Sequence, residues 1–156
     1  MHWTKAPLQP FDTPVEQGPF QFVSMDLITD LPRLDKYDSI LTIVNQGCTK
    51  AAKFIPCNKT IDGLGVALKY MKHLVPRFGV PKKIISDRVP RFTSQFSRAL
   101  CASLEVKQNP STAFHPQTDG QSERMNAWLK QYLQAWIMNR CTWAQMLPVA
   151  EYTHNL

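Results

Sequence analysis

Apolar and polar positions alternate along this chain in two rhythms, one of strands and one of helices. Over residues 20–30, Phe22, Val23, Met25, Leu27 and Ile28 put apolar groups on both faces, as a central strand would. Tyr37 to Asn45 and Ala51 to Pro56 read as two more strands, with Gln46 to Lys50 as the hairpin turn between them. From 60 to 75 the period lengthens to that of a helix. Thr60 or Asp62 can cap it, and Leu64, Ala67, Leu68, Met71, Leu74 and Val75 form the predicted buried stripe, with Lys69 and Lys72 off it. Pro76 should end or kink this helix, and Gly79 lies where the chain can turn away. A short strand over 82–87 and a turn over 88–92 follow. Thr93 or Ser94 then caps a helix through Phe96, Leu100 and Leu104.

Residues 105–109 read as one more strand. Pro110, Pro116 and Gly120 make the stretch 111–120 a mobile loop. Thr118, answered by Gln121, has the form of a helix start. Met125, Trp128, Leu129, Tyr132, Leu133, Trp136 and Ile137 then mark the apolar face of a long helix. Glu123, Asn126, Ala127, Lys130 and Gln134 share its wet face. A last helical segment, 142–152, contains Pro148, which limits its regularity, and Trp143, a packing anchor. This order predicts an α/β fold, a mixed sheet flanked by helices, over residues 20–156. Residues 1–19, with Pro7, Pro10, Pro14, Gly18 and Pro19, read as a linker or arm.

Composition narrows the picture. A chain of 156 residues with 44% apolar content can bury a real core. No apolar run approaches the ~18 residues of a membrane span. Cys48, Cys57, Cys101 and Cys141 are scattered, with no Cys-x-x-Cys and no paired His, which argues against zinc and fits reduced thiols. The net charge of +6 is unevenly placed. Lys50 to Arg98 holds eleven Lys/Arg against Asp62 and Asp87, and the remainder holds seven against ten acids. A basic middle points to a polyanionic partner, most often nucleic acid.

Three acids carry candidate chemistry. Asp26 interrupts a buried strand, where a carboxylate is costly unless paired, hydrogen-bonded or bound to metal. Asp30 is an ordinary turn acid beside Leu31 and Pro32. Asp87 ends a strand, where α/β folds gather ligands. Glu123 follows it after 35 intervening residues, on the first turn of the long helix. Three carboxylates without a balancing base repel one another, and divalent cations resolve the conflict. Mg²⁺ suits a few carboxylates with waters and phosphate oxygens, and paired ions suit in-line attack on phosphorus.

These residues stand in stretches that resemble the catalytic core of a retroelement integrase, of the Ty3/gypsy type and related to retroviral integrases. Val23-Ser-Met-Asp-Leu-Ile-Thr-Asp-Leu-Pro32 holds the first acid. Lys53-Phe-Ile-Pro-Cys57 matches the segment after the third strand. Phe78-Gly-Val-Pro81, Ile84-Ile-Ser-Asp-Arg88 and Phe92-Thr-Ser94 surround the second. Ser111-Thr-Ala-Phe-His-Pro-Gln-Thr-Asp-Gly-Gln-Ser-Glu-Arg-Met-Asn126 holds the third and is the most specific match. Trp143, Leu147-Pro148 and Ala150-Glu-Tyr152 match the close.

The resemblance implies an RNase H-like fold with a mixed five-stranded sheet. It implies Asp26, Asp87 and Glu123 as the catalytic, metal-binding triad for Mg²⁺ or Mn²⁺, with two ions. It further implies 3′-end processing and strand transfer on DNA without a covalent enzyme intermediate, homo-oligomers, and a nuclear location. Lys130, on the face of Glu123, is the expected phosphate contact, with Gln117, His115 and Asn126 as further DNA-binding candidates.

The chain departs from the pattern in places. Val89 stands where Gly usually follows Ser-Asp-Arg, and a β-branched residue there would strain the backbone or crowd the metal site. It is expected to lower activity while leaving the triad intact. Asn45-Gln-Gly-Cys-Thr-Lys50 replaces the usual hairpin, and Phe20 stands where Trp is usual. Two other readings stay open: a degenerate or co-opted copy that binds DNA or partners without catalysis, and a metal-dependent nuclease of the same fold.

Overall fold

The computed structural model describes residues 18–33, 36–47, 49–86, 90–103, 114–115, 120–138 and 143–156. Its strands are β1 (Phe22–Ile28), β2 (Ser39–Asn45), β3 (Ala52–Cys57), β4 (Lys83–Ser86) and β5 (Phe114–His115). Its helices are α1 (Gly63–His73), α2 (Val75–Phe78), α3 (Pro90–Ser103), α4 (Gly120–Met138) and α5 (Trp143–His154). The strands form one mixed sheet in the order β3-β2-β1-β4-β5. β1, β2 and β3 are antiparallel neighbours, while β4 runs parallel to β1, and β5 parallel to β4.

Alternation along the strands sorts side chains onto two faces. Val23, Met25, Leu41, Ile43, Ile55 and Cys57 face α1 and α3, where they pack with Val66, Ala67, Tyr70, Leu74, Phe96 and Leu100. Ile28, Ile40, Val44, Ala52 and Phe54 face α4 and α5, against Leu129, Leu133, Trp143, Leu147 and Ala150. At the hairpin, Asn45 Oδ1 accepts from Gly47 N at 3.1 Å and Phe20 N at 3.3 Å, while Asn45 Nδ2 donates to Thr49 Oγ1 at 2.9 Å. At the β3 edge, Asn155 accepts from Ala52 N (2.8 Å) and donates to Ala52 O (3.0 Å), covering a strand group that would otherwise be open to pairing.

Four expectations need correction. The α1 period is right but its phase is not. Gly63, Val66, Ala67, Tyr70 and Leu74 are buried, whereas Leu64 and Leu68 are 47% and 53% exposed. Gly63 explains this. A Cβ there would lie 2.6 Å from the Phe92 carbonyl oxygen and 2.8 Å from Phe96 N, so the bare glycine lets α3 approach on that side. Asp62 caps α1, accepting from Gly65 N at 2.9 Å. α3 starts at Pro90, ahead of Thr93 and Ser94, since proline's fixed φ suits a first helical turn. The stretch 111–120 is not all loop, because β5 lies within it and pairs with β4. Pro148 does not interrupt the regularity of the last helix: α5 runs through it to His154, with Pro148 on the exposed side where water can serve the carbonyl it leaves unbonded. The strand expected at 105–109 lies outside the described residues.

Candidate active site

The α4-facing side of the sheet is interrupted by polar residues. On β1, even-numbered positions point to that side, and they read Ser24, Asp26, Ile28. Directly across on β2, Asp26 pairs with Thr42, which is buried between the apolar Ile40 and Val44 positions. Asp26 itself is half-buried. Its Oδ1 accepts from Leu27 N at 2.8 Å, and its Oδ2 accepts from Asn126 Nδ2 at 2.6 Å.

Asn126 reaches this point from α4, which packs against β1. Its orientation is set at both ends of the amide. Nδ2 donates to Asp26, and Oδ1 lies 3.3 Å from the Thr42 hydroxyl, which is also 3.2 Å from the Asp26 carbonyl oxygen. The hydroxyl carries one proton and so shares it between these acceptors. Asn126 therefore does not lie on the wet face of α4 with Ala127, Lys130 and Gln134. It is half-buried against the sheet, and its amide is engaged within the chain, not offered outward to DNA. Lys130, one turn further along, is exposed as expected.

The other expected residues are placed by backbone alone or not at all. β4 runs parallel to β1 with Ser86, the last described residue before Asp87, beside Met25 on the strand that carries Asp26. Asp87, Val89 and Gln117 lie outside the described residues. Glu123 falls within α4, three residues before Asn126, and its carboxylate lies outside the described side chains. The His115 backbone lies in β5, opposite Ile85. Among the described residues, no group of three His, Cys, Asp or Glu could hold a metal, and this set excludes Asp87 and the Glu123 carboxylate. Around Asp26 the structure places a hydroxyl on its backbone carbonyl and an amide N–H on its carboxylate, and the carboxylate oxygens themselves are the hard donors that a cation such as Mg²⁺ takes.

Sequence reasoning missed the Thr42–Asn126–Asp26 arrangement. One signal was available: Thr42 is the only polar side chain in Ile40-Leu-Thr-Ile-Val44. Elsewhere, burial pushes the pKa of the Tyr70 phenol up, and its hydroxyl has no partner among the described residues. A backbone N–H from Lys59 and the Ser39 hydroxyl hold the Asp38 carboxyl below its usual range.

No family model matches the chain. It is 31% identical, over 155 residues and 99% of its own length, to the Transposon Tf2-3 and Tf2-4 polyproteins of Schizosaccharomyces pombe. The chain spans about 11% of the length of these curated relatives. Among solved structures it is similar to the HTLV-2 integrase catalytic core domain in complex with magnesium. For the trimeric form the TM-score is 0.59 at 19% identity, covering 86% of this chain and 84% of that one. For the dimeric form it is 0.61 at 18% identity, covering 86% of each. At these identities the likeness shows the RNase H-like fold.

Proposed function

The chain is an integrase-like core domain of the retroelement polyprotein family, and from that premise we propose that it is a metal-dependent polynucleotidyl transferase acting on DNA ends. The observation that carries this reading is the position of Asp26. It stands on the central strand, beside the strand that leads into Asp87, and is bonded to the helix that carries Glu123. Asp26, Asp87 and Glu123 would hold Mg²⁺ or Mn²⁺, with two ions as the expected number. When bound, such ions activate the attacking oxygen and neutralise charge on the leaving one. The magnesium complexes of the HTLV-2 cores support the choice of metal.

The chain's own residues supply positioning. Leu27 N and Asn126, whose amide is in turn steadied by Thr42, fix the carboxylate of Asp26 against rotation, which matters because small misplacements of catalytic groups are costly in rate. Lys130 contacts a DNA phosphate, and His115 and Gln117 are further candidates for DNA contact. The reaction has two steps. Water cleaves a phosphodiester near the 3′ end of element DNA, and the freed 3′-OH then displaces a 3′-oxygen from a target phosphodiester. Self-association is part of the proposal, supported by the dimeric and trimeric forms of the HTLV-2 cores, and so is a nuclear location.

The test is a strand-transfer and end-rejoining assay in Mg²⁺ or Mn²⁺, with wild type and Glu123→Gln. Wild type is expected to join ends and the variant to be inactive. Equal activity in both removes Glu123 from the mechanism. Cleavage without any joining favours the nuclease reading, and no activity with no metal binding by calorimetry favours the non-catalytic one.

A further inference from the structure

Part of the basic middle meets a lysine from outside it in a defined patch. Lys36 and Lys69 hold their Nζ atoms 5.2 and 5.3 Å from the centroid of one ring, that of Tyr37. Lys36 precedes β2 and Lys69 lies on α1, so tertiary structure brings them together. Lys72 follows one turn after Lys69, and then His73. Burial first, and then the positive fields of Lys72, Lys53 and Lys69, hold the His73 imidazole below its usual pKa, so the positive potential extends along the end of α1.

Three described acids near this patch already have partners. Glu151 pairs with Lys53 at 3.0 Å, Asp30 with Lys59 at 3.6 Å, and Asp38 accepts from Lys59 N and the Ser39 hydroxyl. Lys69 and Lys72 are ion-paired with no described acid. Location adds meaning. Tyr37 packs with the Ile28 and Ile40 cluster, and Leu31 N donates to Asp38 O. The patch is therefore at the C-terminal end of β1, just past Asp26. Neighbouring strands are about 5 Å apart, so the β3 side of this end is only about 10 Å from β1.

We propose that Lys36 and Lys69, gathered around Tyr37, together with Lys72 one turn further along α1, form a surface that grips the phosphate backbone of target DNA beside the Asp26 end of the sheet. The choice of target DNA rests on the polynucleotidyl transferase reading and on the chemistry offered. Ammonium groups are compact point charges that contact phosphates without reading bases, which fits DNA of arbitrary sequence. The Tyr37 ring attracts both cations through its π face and so holds them in place before DNA arrives.

The test is fluorescence anisotropy on the 156-residue chain without divalent metal, using two labelled duplexes of unrelated scrambled sequence across a salt series. Binding is read without turnover, so it can succeed where strand transfer fails. Lys36→Gln with Lys69→Gln is expected to weaken both duplexes equally, by about tenfold, and to reduce the salt slope by about 1.8, at about 0.9 per phosphate. Lys50→Gln with Lys82→Gln removes the same charge from the opposite end of the sheet and is expected to change binding by less than about twofold. Lys36→Arg with Lys69→Arg is expected to bind like wild type, and melting curves establish that each variant folds. An equal loss in the Lys50/Lys82 pair, a loss on one duplex only, or a tenfold loss in the arginine pair would overturn the proposal.

Discussion

The two faces of the sheet obey different rules. The face under α1 and α3 is packed with apolar side chains from Val23 to Leu100, and the Tyr70 hydroxyl buried there has no partner among the described residues. The face under α4 and α5 has an equally dry patch around Trp143 and Leu133, but its middle holds Ser24, Asp26 and Thr42. Burying such groups is costly unless each finds a partner. The partners come from far along the chain: Asn126 for Asp26 and Thr42, and Gln46 for Ser24, with Gln46 Nε2 at 2.7 Å. One face thus supplies stability by volume, while the other tolerates a polar notch because its hydrogen bonds are completed. A half-buried carboxylate held at that cost is what the proposed chemistry is built on.

The contrast can be broken most severely on the apolar face. Phe96 is fully buried, edge-on to Tyr70 at 5.8 Å, and Phe96→Ala should cost about 3–5 kcal/mol in denaturant unfolding. On the other face, Asn126→Ala leaves Asp26 Oδ2 and the Thr42 hydroxyl without that partner and should cost about 1–3 kcal/mol. It should also lower strand transfer by more than its melting shift explains, whereas an equivalent small cavity under α1 should not. His73 gives a subtler signal. Its folded pKa is depressed, so the unfolded chain takes up its proton first. Stability should therefore fall as pH drops below about 6.5, and His73→Gln should flatten that part of the profile. The smallest effect belongs to Leu68→Gln, at 53% exposure, where unfolding should move by no more than about 0.5 kcal/mol.

Much of this contrast was readable in the sequence, in proportion to how local its causes are. β1 and the hairpin pair follow from alternation, and Asp26 stood out because an acid broke an apolar run. Helix α1 was readable in its period, but its phase depended on Gly63 meeting Phe92 and Phe96, a contact spanning about thirty residues. β5 exists because β4 offers an edge to Phe114 and His115, and two residues carry no period of their own. Asn126 was misplaced onto the wet face because its partners are strand residues 84 and 100 positions away. Helical spacing put it next to Ala127 and Lys130, and only the approach of α4 to β1 turns it inward. Trp143 was legible as an anchor, and its indole N–H donates to the Pro32 carbonyl at 2.7 Å.

The most direct test of two faces with two roles is to measure end-rejoining and thermal unfolding on the same pair of variants, Asp26→Asn and Phe96→Ala. Asp26→Asn should lose at least about a thousandfold in activity with unfolding changed by less than about 1 kcal/mol. Phe96→Ala should unfold more easily yet retain activity at temperatures where it stays folded. An active Asp26→Asn chain, or a Phe96→Ala chain that is folded but as inactive as it, would contradict the account.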